Sequence, residues 1–409
     1  MNKYKDASAI IFLFILIINP IGAQEYCNSP FTENSFSGVI TTEMSYDTTT
    51  SVGGNEVILD LDLYYSEEVN WDTRPLMVLL HGGAYLAENG DKLSEEIVQL
   101  AQLMASKGFV VASLNYRTWS IFQNGVPSKD QILDVALKSV YDLDAGIYFL
   151  VRNNGINGIP AFDEENIVVG GGSAGAITTI HRLYLDSTDL LDETLSGLID
   201  DNGGFFEKDP DEFSIVAGVN LSGGILDTAW LSGEFTPLIS MHGDNDETVP
   251  YNTGKAVDLI DIYGSFLIDQ QLNSLGVTSY LYTFEGGGHS NIYTSPLYQE
   301  DLFAAIDTGL IIIQNEMCVT TSLYTYKIEP KVEIVNTLVE DILLIDNSES
   351  INYNYHIFDL KGQLMKGGQI IPGRNILELY RLPVGGKYIF NAYNPDTRGN
   401  ISRMFFYAR

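Results

Sequence analysis

Ile167-Val168-Val169-Gly170-Gly171-Gly172-Ser173-Ala174-Gly175 is the stretch on which the fold turns. A β-branched apolar run leads into Gly-x-Ser-x-Gly, and Ala176 to Leu185 beyond it reads as a helix. Strand, tight turn and helix around such a serine make a nucleophile elbow, whose crowded turn tolerates only small flanking residues and holds the hydroxyl up at the sheet edge. With 38 Gly in 409 residues, the string arises by chance about once in four chains of this composition, so it needs corroboration.

Three other stretches supply it. His81-Gly82-Gly83-Ala84-Tyr85 follows the strand-like Leu76 to Leu80, and its small residues let backbone N–H groups approach a negative oxygen. His242-Gly243-Asp244-Asn245-Asp246-Glu247-Thr248-Val249-Pro250 follows the apolar run Pro237 to Met241 and ends in a turn rich in carboxylates, a source for an acid. Gly286-Gly287-Gly288-His289 follows the strand-like Ser279 to Phe284, and its three glycines predict a mobile loop that swings an imidazole towards the serine.

These four stretches, each at a strand end and in the chain order Ser, Asp, His, resemble the α/β-hydrolase superfamily, and within it the carboxylesterase and feruloyl-esterase-like branch. The resemblance covers roughly 57–314 and implies Ser173 as nucleophile, His289 as base and Asp246 as the acid that orients it. Gly83, Ala84 and Ala174 are the implied oxyanion-hole donors. Ala84 departs from the Gly of many relatives, with little consequence because the donor is a backbone N–H. Asp244 is expected to support the turn. Of the five histidines, His81 and His242 head turns and read as structural, His181 follows Ser173 on its helix, and His356 lies far along the chain. Such chemistry requires no cofactor and no metal.

Met1-Asn2-Lys3-Tyr4-Lys5, the apolar run to Ile18 and Ile21-Gly22-Ala23 have the parts of a secretory signal, with cleavage expected after Ala23. A signal anchor is the alternative, but a spanning helix needs about 20 apolar residues, and this run is shorter. A formal net charge of −32 leaves no basic stripe to neutralise phosphates, which argues against nucleic acid as a partner. No other stretch is apolar enough for stable membrane insertion. Cys27 and Cys318, the two cysteines of the chain, are expected to pair after export, with Cys318 just past the last helix of the catalytic domain; two unpaired thiols are the alternative.

Further along, Val57 to Tyr65 alternates as an antiparallel strand, Phe109 to Tyr116 reads as a buried parallel strand, and Leu93 to Lys107 and Asp130 to Asn153 have helical spacing. The alternation predicts a doubly wound, mostly parallel sheet with helices on both faces and its site at the carboxyl ends of the strands. Tyr85, Tyr116, Trp119 and Phe122 are candidates for a substrate pocket, with plain surface packing as the alternative for the 118–129 loop. The acidic insertion 186–213 is a candidate lid.

From Val319 the texture changes to short alternating strands such as Val332 to Val335 and Tyr355 to Leu360. Asp359 to Leu364 reads as a hairpin and Leu382 to Phe390 as a turn into a strand. This part resembles the C-terminal sorting domain of the type IX secretion system of Bacteroidetes, although the customary Pro-Asn-Pro opening is missing and an extra Gly precedes Lys387. A small β-sandwich that binds glycan or merely extends the fold is the rival. The expected division is therefore a signal peptide at 1–23, an α/β-hydrolase domain at 24–322, a linker at 323–331 and an all-β sandwich-like module at 332–409. The expected activity is a secreted or cell-surface carboxylic ester hydrolase whose partners are an ester substrate and the secretion machinery. A serine peptidase or amidase and a silent binding protein of the same fold are the alternatives.

Overall fold

The computed structural model describes residues 24–206, 212–233 and 235–320, and beyond them 332–334, 338–339, 342–348, 351–359, 364–379, 386–393 and 400–407. The signal peptide and linker expectations lie outside the described residues, as do the turns 360–363 and 382–385.

Strands of the first part are β1 Val39–Thr50, β2 Glu56–Ser66, β3 Arg74–Leu80, β4 Val110–Leu114, β5 Phe162–Gly172, β6 Ile215–Leu221, β7 Gly224–Ile225, β8 Leu238–Gly243, β9 Thr253–Ala256, β10 Ile260–Gly264 and β11 Ser279–Phe284. Helices are α1 Glu95–Ser106, α2 Ile121–Asn124, α3 Lys129–Arg152, α4 Ala174–Tyr184, α5 Glu193–Asp201, α6 Ser265–Leu275, α7 Asn291–Thr294 and α8 Gln299–Thr320. Eight strands form one sheet in the order β1-β2-β4-β3-β5-β6-β8-β11, antiparallel at β1-β2-β4 and parallel from there on. This is the expected α/β-hydrolase architecture.

The chemistry of the segments accounts for their places. Every residue of β3 and β4 is buried, because helices cover both faces and such strands read as unbroken apolar runs. Helix α3 opens on a capping box in which Ser128 Oγ accepts from the Gln131 N–H and the Gln131 side chain accepts from the Ser128 N–H. Helix α6 stops at Gly276, whose φ of 77° is the left-handed cap that glycine adopts without strain. Helices α3, α4 and α6 bury their apolar stripes on one face of the sheet, and α1 and α8 bury theirs on the other.

Parallel registers bring Leu80 opposite Gly171, Gly172 opposite Leu221 and Phe284 opposite Gly243. The segments after β3, β5, β8 and β11 therefore leave the sheet along one edge. A three-stranded antiparallel sheet, β7-β10-β9, adjoins that edge and was not anticipated. Cys27 and Cys318 form a disulfide with Cα atoms 5.6 Å apart, and Cys318 lies within the last turn of α8 rather than after it.

The C-terminal strands are β12 Val332–Ile334, β13 Leu338–Val339, β14 Ile342–Asn347, β15 Tyr353–Asp359, β16 Leu364–Ile370, β17 Gly373–Glu378, β18 Gly386–Tyr393 and β19 Asn400–Tyr407. They make two sheets, β12-β14-β17 and β13-β19-β18-β15-β16. Leu343, Ile345 and Leu377 of the first share an apolar core with Tyr355, Ile357 and Phe390 of the second, the packing of a small sandwich. Strands β15 and β16 pair antiparallel, as the hairpin expectation requires. Among the described residues, no helix is long and apolar enough to cross a membrane, and no cluster of three or more His, Cys, Asp or Glu is placed to hold a metal ion.

Candidate active site

Ser173 stands between β5 and α4 with φ 52° and ψ −114°, a left-handed backbone that a non-glycine residue adopts only when its surroundings impose it. Its N–H donates to Leu221 O at 2.8 Å. The flanking glycines are required by close approach: a Cβ on Gly175 would lie 2.3 Å from Leu80 O, and one on Gly171 would lie 2.5 Å from the carbonyl carbon of Gly175. The turn is thus wedged against the end of β3.

Ser173 Oγ and His289 Nε2 are 2.8 Å apart, and His289 Nδ1 and Asp246 Oδ2 are 2.6 Å apart. With Asp246 ionised, Nδ1 carries the proton and Nε2 is free to accept from the serine hydroxyl. Asp246 is held by more than this. Its Oδ1 accepts from Thr248 N–H at 2.8 Å and from Val249 N–H at 2.9 Å. Burial alone would raise its pKa, but hydrogen bonds from His242, His289 and the Val249 N–H hold it well below the usual carboxylate range.

The contact from His242 was missed in the sequence, which marks it only as the head of a turn. His242 Nε2 lies 3.1 Å from Asp246 Oδ2 and 3.0 Å from Val249 O, so this nitrogen donates to both. Its Nδ1 accepts from Ser265 Oγ at 2.7 Å, and Ser265 Oγ accepts in turn from Asn220 Nδ2 at 2.8 Å. The four-residue spacing of His242 and Asp246 at a strand end is the one signal of this contact in the chain.

The loop before His289 is pinned where mobility was expected. Gly286 N–H donates to Asp244 Oδ1 at 2.7 Å, Gly288 N–H to Asn291 Oδ1 at 2.8 Å, and Asn245 N–H to Gly287 O at 2.9 Å. Asp244 therefore supports the turn. The glycines serve close approach, since a Cβ on Gly287 would lie 2.4 Å from Ile292 Cγ2.

Beside the serine, a Cβ added to Gly82 would lie 3.3 Å from Ser173 Cβ, so the 82–84 segment passes directly over the elbow. Gly83, Ala84 and Tyr85 all have positive φ, at 109°, 54° and 62°. The N–H groups of Gly83, Ala84 and Ala174 have no acceptor among the described residues. Such N–H groups are the kind that stabilise a developing oxyanion.

An apolar cavity of ≈ 60 Å³ opens at Ser173, walled by Tyr85, Ile132 and Ala136 of α3, Ile177 of α4, Leu195 of α5 and Ile262 of β10. Of the four aromatic pocket candidates only Tyr85 lines it, with its hydroxyl donating to Ala174 O at 2.9 Å. Tyr116 is turned away because its ring stacks on His81 at 4.3 Å and its hydroxyl donates to His81 O. Trp119 is buried in the core, with Nε1 bonded to Gly125 O at 2.7 Å. Phe122 is 90 % exposed on α2. The 186–213 insertion contributes Leu195, while its residues 207–211 lie outside the described residues. His181 borders the cavity as a neutral group, since burial pushes its pKa down to about 4 and Nδ1 donates to Ile177 O.

Residues 61–223 match the family model described as BD-FAE, a stretch that holds His81–Tyr85 and Ser173 and ends before Asp246 and His289. No curated protein matches the chain. Among solved structures, it is similar to Thermogutta terrifontis esterase 2 phosphorylated by paraoxon, at 18% identity over 67% of this chain and 94% of that one, with a TM-score of 0.47. The propionate-bound esterase from the same Planctomycetes species is similar at 17% identity over 69% of this chain and 96% of that one, with a TM-score of 0.45. The chain carries an α/β-hydrolase fold and, over 61–223, is similar to the esterase-like branch of that superfamily.

Proposed function

We propose that this protein is a serine carboxylic ester hydrolase working through an acyl-enzyme. The observation that carries the reading is the unbroken chain from Ser173 Oγ through His289 to Asp246, standing at the mouth of an apolar cavity. Ser173 Oγ attacks the ester carbonyl carbon while His289 Nε2 takes its proton and Asp246 stabilises the imidazolium. The N–H groups of Gly83, Ala84 and Ala174 hold the oxyanion. Collapse breaks the bond to the alcohol oxygen, which takes the proton from His289, and a water repeats the sequence to release the acid. The apolar cavity takes the acyl group, since it holds Ser173 and Ala174 and offers no charged partner. Steady-state hydrolysis of p-nitrophenyl acetate, butyrate and octanoate beside methyl ferulate tests the reading; no turnover of any ester by the folded protein would overturn it.

Action outside the cell is part of the same proposal. The resemblance of the 1–23 sequence to a secretory signal, the Cys27–Cys318 disulfide and the net charge of −32 support it. The module at 332–409 is proposed to serve export, supported by its strand motifs and by the position of every proposed catalytic group before it. Loss of export on deleting 332–409 in a host with a type IX route, with ester turnover kept, is the expected result.

A further inference from the structure

A second opening leaves Ser173 on the other face of the sheet. It is a groove of ≈ 830 Å³ between α1 and α8, with Ser173 and His289 at its mouth, Leu103 and Ile306 on facing walls, Ile239 of β8 on its floor and Ile313 at its far end. Lining residues on α8 run from Gln299 to Ile313, which is about 20 Å of helix. Leu100, Leu103, Leu302 and Ile306 are only partly buried, and Phe303 on the same helix is 52 % exposed. Protein interiors are packed to crystal density and contiguous apolar surface in water marks a binding site, so a groove of this size, apolar along Leu103, Ile239, Ile306 and Ile313 although Glu96, Gln99 and Gln299 also border it, calls for an occupant. Its continuity with Ser173 and His289 identifies that occupant as part of the substrate.

We infer that the groove binds a long unbranched alcohol portion of the ester, so that the substrate class is a short-acyl ester of a long-chain alcohol. This inference rests on the ester-hydrolase reading. The assignment of arms follows from which cavity holds which group. His289, the donor of a proton to the departing oxygen, lines the groove and not the narrow cavity. Of the oxyanion donors Gly83 lines the groove, Ala174 the narrow cavity and Ala84 both, so the carbonyl sits where the two openings meet and the leaving oxygen lies on the groove side. The leaving oxygen and its chain then point between α1 and α8, and the acyl chain points under α3 and α4. One ester thus reaches both faces of the sheet past the end of β5.

The test varies one arm at a time by pH-stat kinetics on the full chain. With butyrate fixed, kcat/KM is expected to rise about a hundredfold from the methyl to the octyl ester, about twofold for each of the seven added methylenes, which is part of the full transfer value of a buried methylene. Ile306→Trp, and Leu103→Trp from the opposite wall, fill the groove and are each expected to lower kcat/KM for octyl butyrate about tenfold more than for methyl butyrate. Calorimetric titration of Ser173→Ala with 1-octanol reads the groove without turnover, and adding Ile306→Trp is expected to weaken that binding about tenfold. A flat dependence on alcohol length, or losses equal for both butyrates in both tryptophan variants, would overturn the inference. Octanol binding that responds to Ile306→Trp in a protein that hydrolyses no ester would sustain the groove and remove the hydrolase reading instead.

Discussion

His242 Nε2 lies 3.1 Å from Asp246 Oδ2, the same oxygen that accepts from His289 Nδ1 at 2.6 Å. One carboxylate oxygen thus joins two imidazoles, one facing Ser173 and the other anchored through Ser265 to Asn220. His242 is a positioning residue on this geometry. Replacing it with Ala removes a donor to a buried anion, an interaction of about 1.5–3 kcal/mol. His242→Ala is expected to lower kcat about ten- to a hundredfold with a smaller change in KM. A variant with native kcat would leave His242 with packing alone.

Asp246 also predicts a pH dependence of stability. Its folded pKa lies below the unfolded value of about 3.9, because hydrogen bonds from His242, His289 and Val249 outweigh the effect of burial. In that window the unfolded chain binds more protons, so stability from this group is complete above about pH 4 and is lost as pH falls through the folded value. Urea unfolding at a series of pH values from about pH 5 downwards should show the native chain losing stability more steeply than Asp246→Asn. Parallel slopes would contradict the assignment.

The narrow cavity sets an upper size for the acyl group. Ala136 of α3 lines it, and Ala136→Leu fills space that a longer acyl chain would occupy. The variant is expected to lower kcat/KM for p-nitrophenyl hexanoate about tenfold more than for the acetate. Equal losses on both esters would place the acyl chain elsewhere.

The Cys27–Cys318 disulfide closes a loop of 291 residues in sequence. Replacing both cysteines with serine is expected to cost roughly 2–5 kcal/mol of unfolding free energy, through a less constrained unfolded chain. Urea denaturation of both proteins measures it. Alkylation of both thiols in unreduced, exported protein would remove the bridge altogether.

Much of the architecture was legible because parallel strands buried on both faces must be apolar throughout, as Leu76 to Leu80 and Ile167 to Val169 are, and because each motif directly follows such a run. Strand β1 escaped notice because its Thr-rich sequence at the sheet edge carries no apolar run. The β7-β10-β9 sheet escaped because its strands are two to five residues long, below the reach of a period-2 pattern. That Ser173, Asp246 and His289 come together was readable from strand-end context. The bond from His242 to Asp246 was not, since which face of a turn an imidazole meets depends on the β10–α6 segment that supplies Ser265. The aromatic loop misled for a related reason: aromatic content marks packing without saying on which side of Tyr85 a ring lies, and Trp119 lies in the core while Phe122 faces solvent.

The central claim is that Ser173 is the nucleophile, and active-site titration with a fluorophosphonate tests it most directly. Intact mass is expected to show one label per chain, peptide mapping to place it on Ser173, and ester turnover to fall in proportion to labelling, with Ser173→Ala taking no label and losing several orders of magnitude in kcat. Hydrolysis that survives complete labelling, or a label carried on another residue, would contradict the account.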